Sequence, residues 1–192
     1  MKIIDVAQGS PEWLSLRRNY ATASEMASIL KVKGAFCSRK KLLETKLSQE
    51  EKPLDEYTTN MFARGHEIEA ELRIWASEKL GMSLEPAVVL DEELGILASI
   101  DCVNFEHGVI VETKNSWAKG KLEMARNYEV WEPYRVQILA QMLVTKISLA
   151  FMCMRDDTNG EIHLIQVEPD EKTTLQIIEE SAKFNKELKE NK

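Results

Sequence analysis

Residues 109–114 read Val109-Ile110-Val111-Glu112-Thr113-Lys114. The stretch opens as a β-branched run suited to a buried strand and closes with two opposite charges two positions apart. Side chains alternate along a strand, so Glu112 and Lys114 point to the same face. Charged side chains are rarely placed deep in a sheet unless paired or used. The pair therefore asks for a chemical reason.

The neighbouring run supplies one. Ile96-Leu97-Ala98-Ser99-Ile100-Asp101 also reads as a strand, and its terminal Asp101 precedes Glu112 by eleven positions. A tight turn over Asn104 to Gly108 pairs the two runs as a hairpin, so Asp101 and Glu112 can converge with Lys114 beside them. Two acids plus a backbone carbonyl, with positions left for water, suit Mg²⁺. A lysine next to such an ion can position or deprotonate the attacking water, which fits in-line hydrolysis of a phosphodiester. The same residues also read as a cross-pair on a half-exposed strand, and so short a motif recurs by chance.

The rest of the chain places this hairpin. Ser10-Pro11 opens a short helix through Arg18, with Ser10 as N-cap and Pro11 at the first helical position. Thr22-Ala23-Ser24-Glu25 has capping-box spacing ahead of Met26, Ile29 and Leu30. Ser38 caps a third, basic helix, and a polar stretch over 48–59 leads to a long helix from about Asn60 to Leu80, ended by Gly81. Strands follow over 86–91, 96–101 and 108–114, then a helix over 133–144 and two more strands around the Asn159-Gly160 turn. An amphipathic helix begins at Asp170. The expected fold is mixed α/β: a helical N-terminal half, then a mostly antiparallel central sheet of about five strands crossed by one helix.

Composition narrows the function classes. At 192 residues and 44% hydrophobic, the chain supports one domain spanning 1–192. No apolar run approaches the roughly 20 residues of a membrane span, and the N-terminus lacks the apolar segment of a signal peptide. Cys37, Cys102 and Cys153 form no CxxC pair, which fits a reducing cytoplasm. The net charge of −7 argues against bulk attraction to nucleic acid, although not against an enzyme with its basic residues confined to one groove.

Four blocks together resemble a known family. Asp101-x10-Glu112-Thr113-Lys114 looks like the PD-(D/E)xK nuclease signature. Trp13 to Arg17 with Thr22 to Glu25, then Arg64-Gly65-His66-Glu67-Ile68-Glu69, then Tyr134 to Thr145, resemble successive blocks of the YqaJ or lambda-exonuclease-type viral recombinases, the alkaline exonucleases of phage recombination. The blocks occur in the family's order from Trp13 to Thr145. Two positions depart from the pattern: Ile100 stands where a proline is usual and Cys102 where a small residue is usual.

The resemblance implies roles. Asp101 and Glu112 bind metal with the Thr113 carbonyl, and Lys114 handles the attacking water. Glu69 faces the same site from the long helix, through metal or a bound water. Gln137 orients Lys114 or the water. Arg17 and Ser24 hold the phosphate at a 5′ end, in keeping with guanidinium–phosphate geometry and a helix N-terminus. The implied cofactor is Mg²⁺, with Mn²⁺ as a substitute. The implied activity is 5′→3′ digestion of one strand of linear double-stranded DNA, leaving a 3′ strand for annealing. Double-stranded DNA ends, a homotrimeric ring and a single-strand annealing protein are the implied partners, in the cytoplasm of a bacterial host. The alternatives are a restriction- or repair-type endonuclease and a non-catalytic DNA-binding subunit.

Local readings compete at several positions. Glu69 can pair with Arg73 at i,i+4, and Ser24 can serve the helix cap. Trp13, Trp75 and Met142 read as core. Trp117 and Trp131 flank an expected loop, where a stacking platform competes with a core or subunit contact. The basic runs Arg39-Lys40-Lys41 and Lys119-Gly120-Lys121 are candidates for backbone phosphates, the first otherwise a solvated helix face. His66, His107 and His163 lack metal spacing.

Overall fold

The computed structural model describes residues 1–48 and 56–191. Its elements are β1 (Lys2–Ile3), α1 (Pro11–Asn19), β2 (Ala21–Thr22), a 3₁₀ turn (Ala23–Glu25) running into α2 (Met26–Ile29), α3 (Arg39–Leu47) and α4 (Glu56–Leu80). Then come β3 (Glu85–Asp91), β4 (Ile96–Asn104), β5 (Val109–Ser116), α5 (Lys119–Arg126), α6 (Glu132–Thr145), β6 (Leu149–Asp156), β7 (Ile162–Val167) and α7 (Glu171–Glu190). Most of the polar stretch over 48–59 lies outside the described residues.

The punctuation follows local chemistry. Ser10, Ser38 and Asp170 each accept a backbone N–H in the first turn of α1, α3 and α7. Gly81 ends α4 with φ +68, a conformation that favours glycine. The β4–β5 turn is built as expected: Asn104 Oδ1 accepts the His107 N–H at 2.8 Å, and Gly108 takes φ +63.

The sheet has seven strands, in the order β1-β3-β4-β5-β6-β7, with β2 alongside β4. The two beyond the expected five are β1 and β2, each two residues long, too short to carry a period-2 pattern. Pairings are antiparallel except β5–β6 and β2–β4. The parallel β5–β6 step needs a crossover, which α5 and α6 supply. The first of these corrects the loop expected between Trp117 and Trp131: α5 is an eight-residue helix with Gly120 inside it and only Leu122 and Ala125 buried, too little for a helical period.

Two layers cover the sheet. On one face α2, α6 and α7 close the main core, with Met26, Ile29, Ile138, Ile177 and Phe184 packed on Ile96, Ala98, Ile100 and Ile110. The other face takes α4, whose Ile68, Leu72 and Ala76 stack at i,i+4 against Cys102, Val109, Val111 and Cys153. A third cluster joins Trp13, Leu16 and Tyr20 of the α1 region to Val88, Leu90 and Leu97. Trp13 and Trp75 thus pack against cores while half-buried, and Met142 is buried.

Arg39 is not on a solvated face. Its guanidinium makes a double contact with Glu187 at 2.5 and 2.9 Å, which docks α3 onto α7. That paired contact raises the Arg39 pKa against a smaller opposing effect of burial. On the same helix α7, Asn185 accepts the Ala21 N–H and donates to the Gly95 carbonyl, both at 2.8 Å. The short β2 strand is held in register beside β4 by that one side chain.

Candidate active site

The site lies where β4 and β5 part. Their ladder runs from Asn104–Val109 through Val103–Ile110 to Cys102–Val111 and stops there. The next residues on each strand are Asp101 and Glu112. Behind the fork, β4 is bulged. Between the pairs Glu85–Val103 and Ala87–Ile100, β4 carries two residues, Asp101 and Cys102, against the single Pro86 of β3. An extra residue switches the side-chain alternation: Ile96, Ala98 and Ile100 pack in the α6-side core, Cys102 in the α4-side cluster, and Val103 returns to the α6 side. Pro86 lacks the N–H that an unbroken ladder would use there. Asp101 is thereby released from regular pairing at the mouth of the fork.

Thr113 takes hold of it. The Thr113 N–H donates to Asp101 Oδ2 at 2.9 Å and the Thr113 hydroxyl donates to the same oxygen at 2.8 Å. The carboxylate thus occupies the position of a missing ladder acceptor. These bonds engage the Thr113 N–H and hydroxyl and leave its carbonyl outside them. From α4, Arg73 Nη1 donates to the Asp101 carbonyl at 3.2 Å.

Glu112 is 1% exposed and caged. Its Oε1 accepts from Lys114 Nζ and from Gln137 Nε2, the latter at 2.5 Å, and its Oε2 accepts from Gln141 Nε2 at 2.6 Å. Gln137 and Gln141 are four apart on α6 and so share a face. Gln137 therefore bonds Glu112, at the same oxygen that Lys114 Nζ reaches. Gln141 carries no expected role from the sequence. The signal is a second amide at i+4 from the first, in a stretch otherwise apolar from Val136 to Val144.

Burial pushes the Glu112 pKa up, and the charge of Asp101 pushes the same way, against the Lys114 ammonium and the Gln141 hydrogen bond. For Lys114 burial works downward, but Glu112 and Asp101 outweigh it and the pKa is raised. Lys114 is therefore an ammonium at neutral pH, a donor without acceptor capacity. Glu69 is half-buried on α4; burial first, then Asp101, raises its pKa. His66 Nδ1 stands 3.7 Å from Glu69 Oε2. The structure thus brings Glu69 into the electrostatic reach of Asp101 and also of Arg73, the competing i,i+4 partner, whose guanidinium bonds the Asp101 carbonyl. An open groove of about 860 Å³ is lined by Glu69, Arg73, the N-terminal segment from Ile3 to Gln8 and residues of β3–β4.

Asp101 and Glu112 retain acceptor capacity for a cation. Asp101 Oδ2 takes two bonds, leaving Oδ1 open, and Glu112 Oε2 takes one. Two neighbouring carboxylates, one held above its ordinary pKa by burial and its neighbour, form an oxygen-only set that a hard divalent ion satisfies. Among the described residues no three acidic, histidine or cysteine side chains gather as a complete cage.

Arg17 and Ser24 meet next to β2, which pairs with β4 along the same edge as β5. Both terminal nitrogens of Arg17 donate to Ser24 Oγ, at 3.3 and 3.2 Å, and Nη2 is 3.5 Å from Glu25 Oε1. The guanidinium lies 4.6 Å from the Trp13 ring centroid. Trp13 Nε1 in turn donates to Ser99 Oγ at 2.8 Å, two residues before Asp101. Lys46, 6% exposed, bonds the Arg17 and Tyr20 carbonyls and lies 2.8 Å from Glu25 Oε2. It closes the C-terminus of α1, where a cation is favourable.

Residues 12–148 match the family model of the YqaJ-like viral recombinase domain. The chain belongs to that family. The matched span contains Arg17, Ser24, Glu69, Asp101, Glu112, Lys114 and Gln137. The YqaJ-like fold recurs in solved structures: an alkaline exonuclease (LHK-Exo) from Laribacter hongkongensis superposes with TM-score 0.75 at 20% identity, covering 94% of this chain and 93% of that one. The same protein in complex with dAMP gives TM-score 0.74. A phage-related exonuclease from Haemophilus somnus 129PT gives 0.64 at 15% identity, covering 89% and 94%. At these identities the likeness is one of fold. No curated protein matches the sequence. Among the described residues, no helix is long and apolar enough to cross a membrane.

Proposed function

We propose that this YqaJ-like chain is a Mg²⁺-dependent 5′→3′ exonuclease that digests one strand of linear double-stranded DNA and leaves a 3′ strand for recombination by annealing. The observation that carries this reading is the fork: Asp101, Glu112 and Lys114 converge where β4 and β5 part, with Thr113, Gln137 and Gln141 holding both carboxylates. The fold likeness to proteins described as exonucleases supports the same reaction class.

Asp101 and Glu112 would hold the ion. When bound, Mg²⁺, or Mn²⁺ in its place, supplies Lewis acidity to the phosphodiester. The chain's residues do the rest. Gln137 and Gln141 fix the Glu112 carboxylate, and Thr113 fixes that of Asp101. Lys114, charged, donates a hydrogen bond to the attacking water and sets its approach, and its positive charge stabilises negative charge developing on the phosphoryl oxygens. Glu69 flanks Asp101 from α4. Arg17 and Ser24, already bonded to each other, offer guanidinium N–H groups and a hydroxyl to a 5′-terminal phosphate. That end-reading pair favours an exonuclease over an endonuclease.

A homotrimeric ring, with positive charge lining its channel, reconciles the net charge of −7 with DNA binding. The ring and an annealing protein partner belong to this proposal.

The test is one digestion assay: linear duplex with and without a 5′ phosphate, against nicked and closed circles, for the wild type and Lys114→Ala. We expect linear ends only to be consumed, 5′-phosphoryl ends faster, with a loss of ~10²-fold or more in Lys114→Ala. Cleavage of closed circles would point to an endonuclease. Wild-type turnover in Lys114→Ala would reject the site.

A further inference from the structure

An aromatic cluster lies beside the site. Phe36, Trp131 and Tyr134 pack as three mutually inclined rings: Phe36–Trp131 centroids lie 5.7 Å apart at 85°, and Trp131–Tyr134 centroids 4.9 Å apart at 85°. Lys121 from α5 reaches into them, 3.8 Å from the Trp131 centroid and 4.8 Å from that of Tyr134, and donates to the Tyr134 hydroxyl at 3.0 Å. The cluster touches the fork: Lys114 Nζ lies 5.3 Å from the Tyr134 centroid, and Tyr134 sits one turn before Gln137 on α6.

The three rings are not equivalent. Tyr134 is buried, and Trp131 is half-buried, boxed by Lys121 and by Gly34. A Cβ at Gly34, which has φ +86, would come within 3.0 Å of the Trp131 ring. That close approach presses the 31–37 loop onto Trp131 and fixes Phe36 at its end. Phe36 itself is 64% exposed. An aromatic ring open to solvent, over a half-buried cation and one side chain from the charged lysine of the fork, suits one occupant by charge and by continuity. That occupant is a base whose own backbone phosphate lies toward Lys121.

We propose that Phe36 is a stacking surface for a nucleobase of the DNA strand entering the fork, with Lys121 drawing the adjacent phosphate. The inference rests on the nuclease reading of the fork and adds a base-binding subsite to it. Stacking of this kind tolerates any sequence, because every base presents a π-face.

The test compares single-turnover cleavage of an intact duplex with the same duplex carrying one abasic site at the first, second or third nucleotide from the 5′ end. Wild type, Phe36→Ala, Phe36→Leu and Phe36→Trp are measured, with thermal melting and sedimentation of each. At one of the three positions the wild-type intact-to-abasic rate ratio should be ~10-fold or more, the usual scale of base stacking. Alanine and leucine should bring that ratio toward one, and tryptophan should keep it. Three outcomes overturn the subsite: the ratio persists in Phe36→Ala, both substrates slow equally, or Phe36→Ala alters the sedimenting mass with the ratio intact, which makes Phe36 a subunit contact. In each the wild type still cuts DNA, so the nuclease reading survives. A wild type that cuts neither duplex overturns both.

Discussion

Gln141 holds Glu112 and β4 at once: its amide nitrogen lies 2.6 Å from Glu112 Oε2 and 3.2 Å from the Ser99 carbonyl. One fully buried side chain on α6 therefore spans the gap left where β4 and β5 stop pairing. It sets the distance between the strand that carries Asp101 and the carboxylate that faces it.

Replacing Gln141 with leucine keeps volume and removes both bonds. A buried carboxylate oxygen then loses its donor, which costs about 1–3 kcal/mol. Gln141→Leu should lower the unfolding free energy by that amount, read as a lower urea midpoint at unchanged m, and should lower cleavage even in conditions where the chain is fully folded. Unchanged stability would mean that Glu112 is held by Lys114 and Gln137 alone.

Divalent ion should stabilise the fold through Asp101 and Glu112. At a concentration of 100 times its dissociation constant, an ion that binds only the folded chain adds about 2.7 kcal/mol. Mg²⁺, Mn²⁺ and Ca²⁺ should each raise the melting temperature of the wild type, and EDTA should reverse the shift. The shift should disappear in Asp101→Asn and Glu112→Gln. Ca²⁺ should bind without supporting turnover, because its looser coordination positions water and phosphate less well. An ion-induced shift retained in both variants would move the cation elsewhere.

Arg17→Ala should abolish the preference for 5′-phosphorylated ends. The guanidinium is already oriented by Ser24 and by the Trp13 ring, so little ordering is needed to meet a phosphate. A loss of about one to three decades in rate on phosphorylated ends, with slow residual cleavage, is expected, since the fork belongs to other segments. An unchanged phosphoryl-to-hydroxyl rate ratio would reject the clamp.

Asp170 predicts a pH dependence of stability. Its pKa is lowered to about 2, first by the Thr173 N–H and hydroxyl that it caps and then by Arg135. A depressed carboxylate stabilises the fold above its unfolded pKa of about 3.9, and that contribution fades as pH falls through the folded value. The melting-temperature difference between wild type and Asp170→Ala should be constant from pH 7 to 5 and shrink between pH 4 and 2. A difference that stays constant to pH 2 would assign the loss in Asp170→Ala to packing alone.

The sequence by itself determined the longer elements and singled out the carboxylate–lysine set. Caps at Ser10, Ser38 and Asp170, the turn at Asn104 to Gly108, and the long strands and helices are local events, governed by side-chain-to-backbone bonds and periodicity over a few residues. Asp101, Glu112 and Lys114 could be picked out because strand alternation and a short hairpin bring them together. What only the tertiary structure decided lies in contacts between segments distant in the chain. Strands β1 and β2 exist because β3 and β4 offer them partners, the latter held by Asn185 from α7. Helix α5 forms on two buried residues because β6 and β7 lie beneath it. The bulge opposite Pro86 depends on where β3 pairs with β4, and that register frees Asp101 for Thr113. Gln137 reaches Glu112, and Gln141 joins it, because α6 crosses directly over the fork. A buried carboxylate takes whatever donors its surroundings present, and those surroundings are assembled from the whole chain.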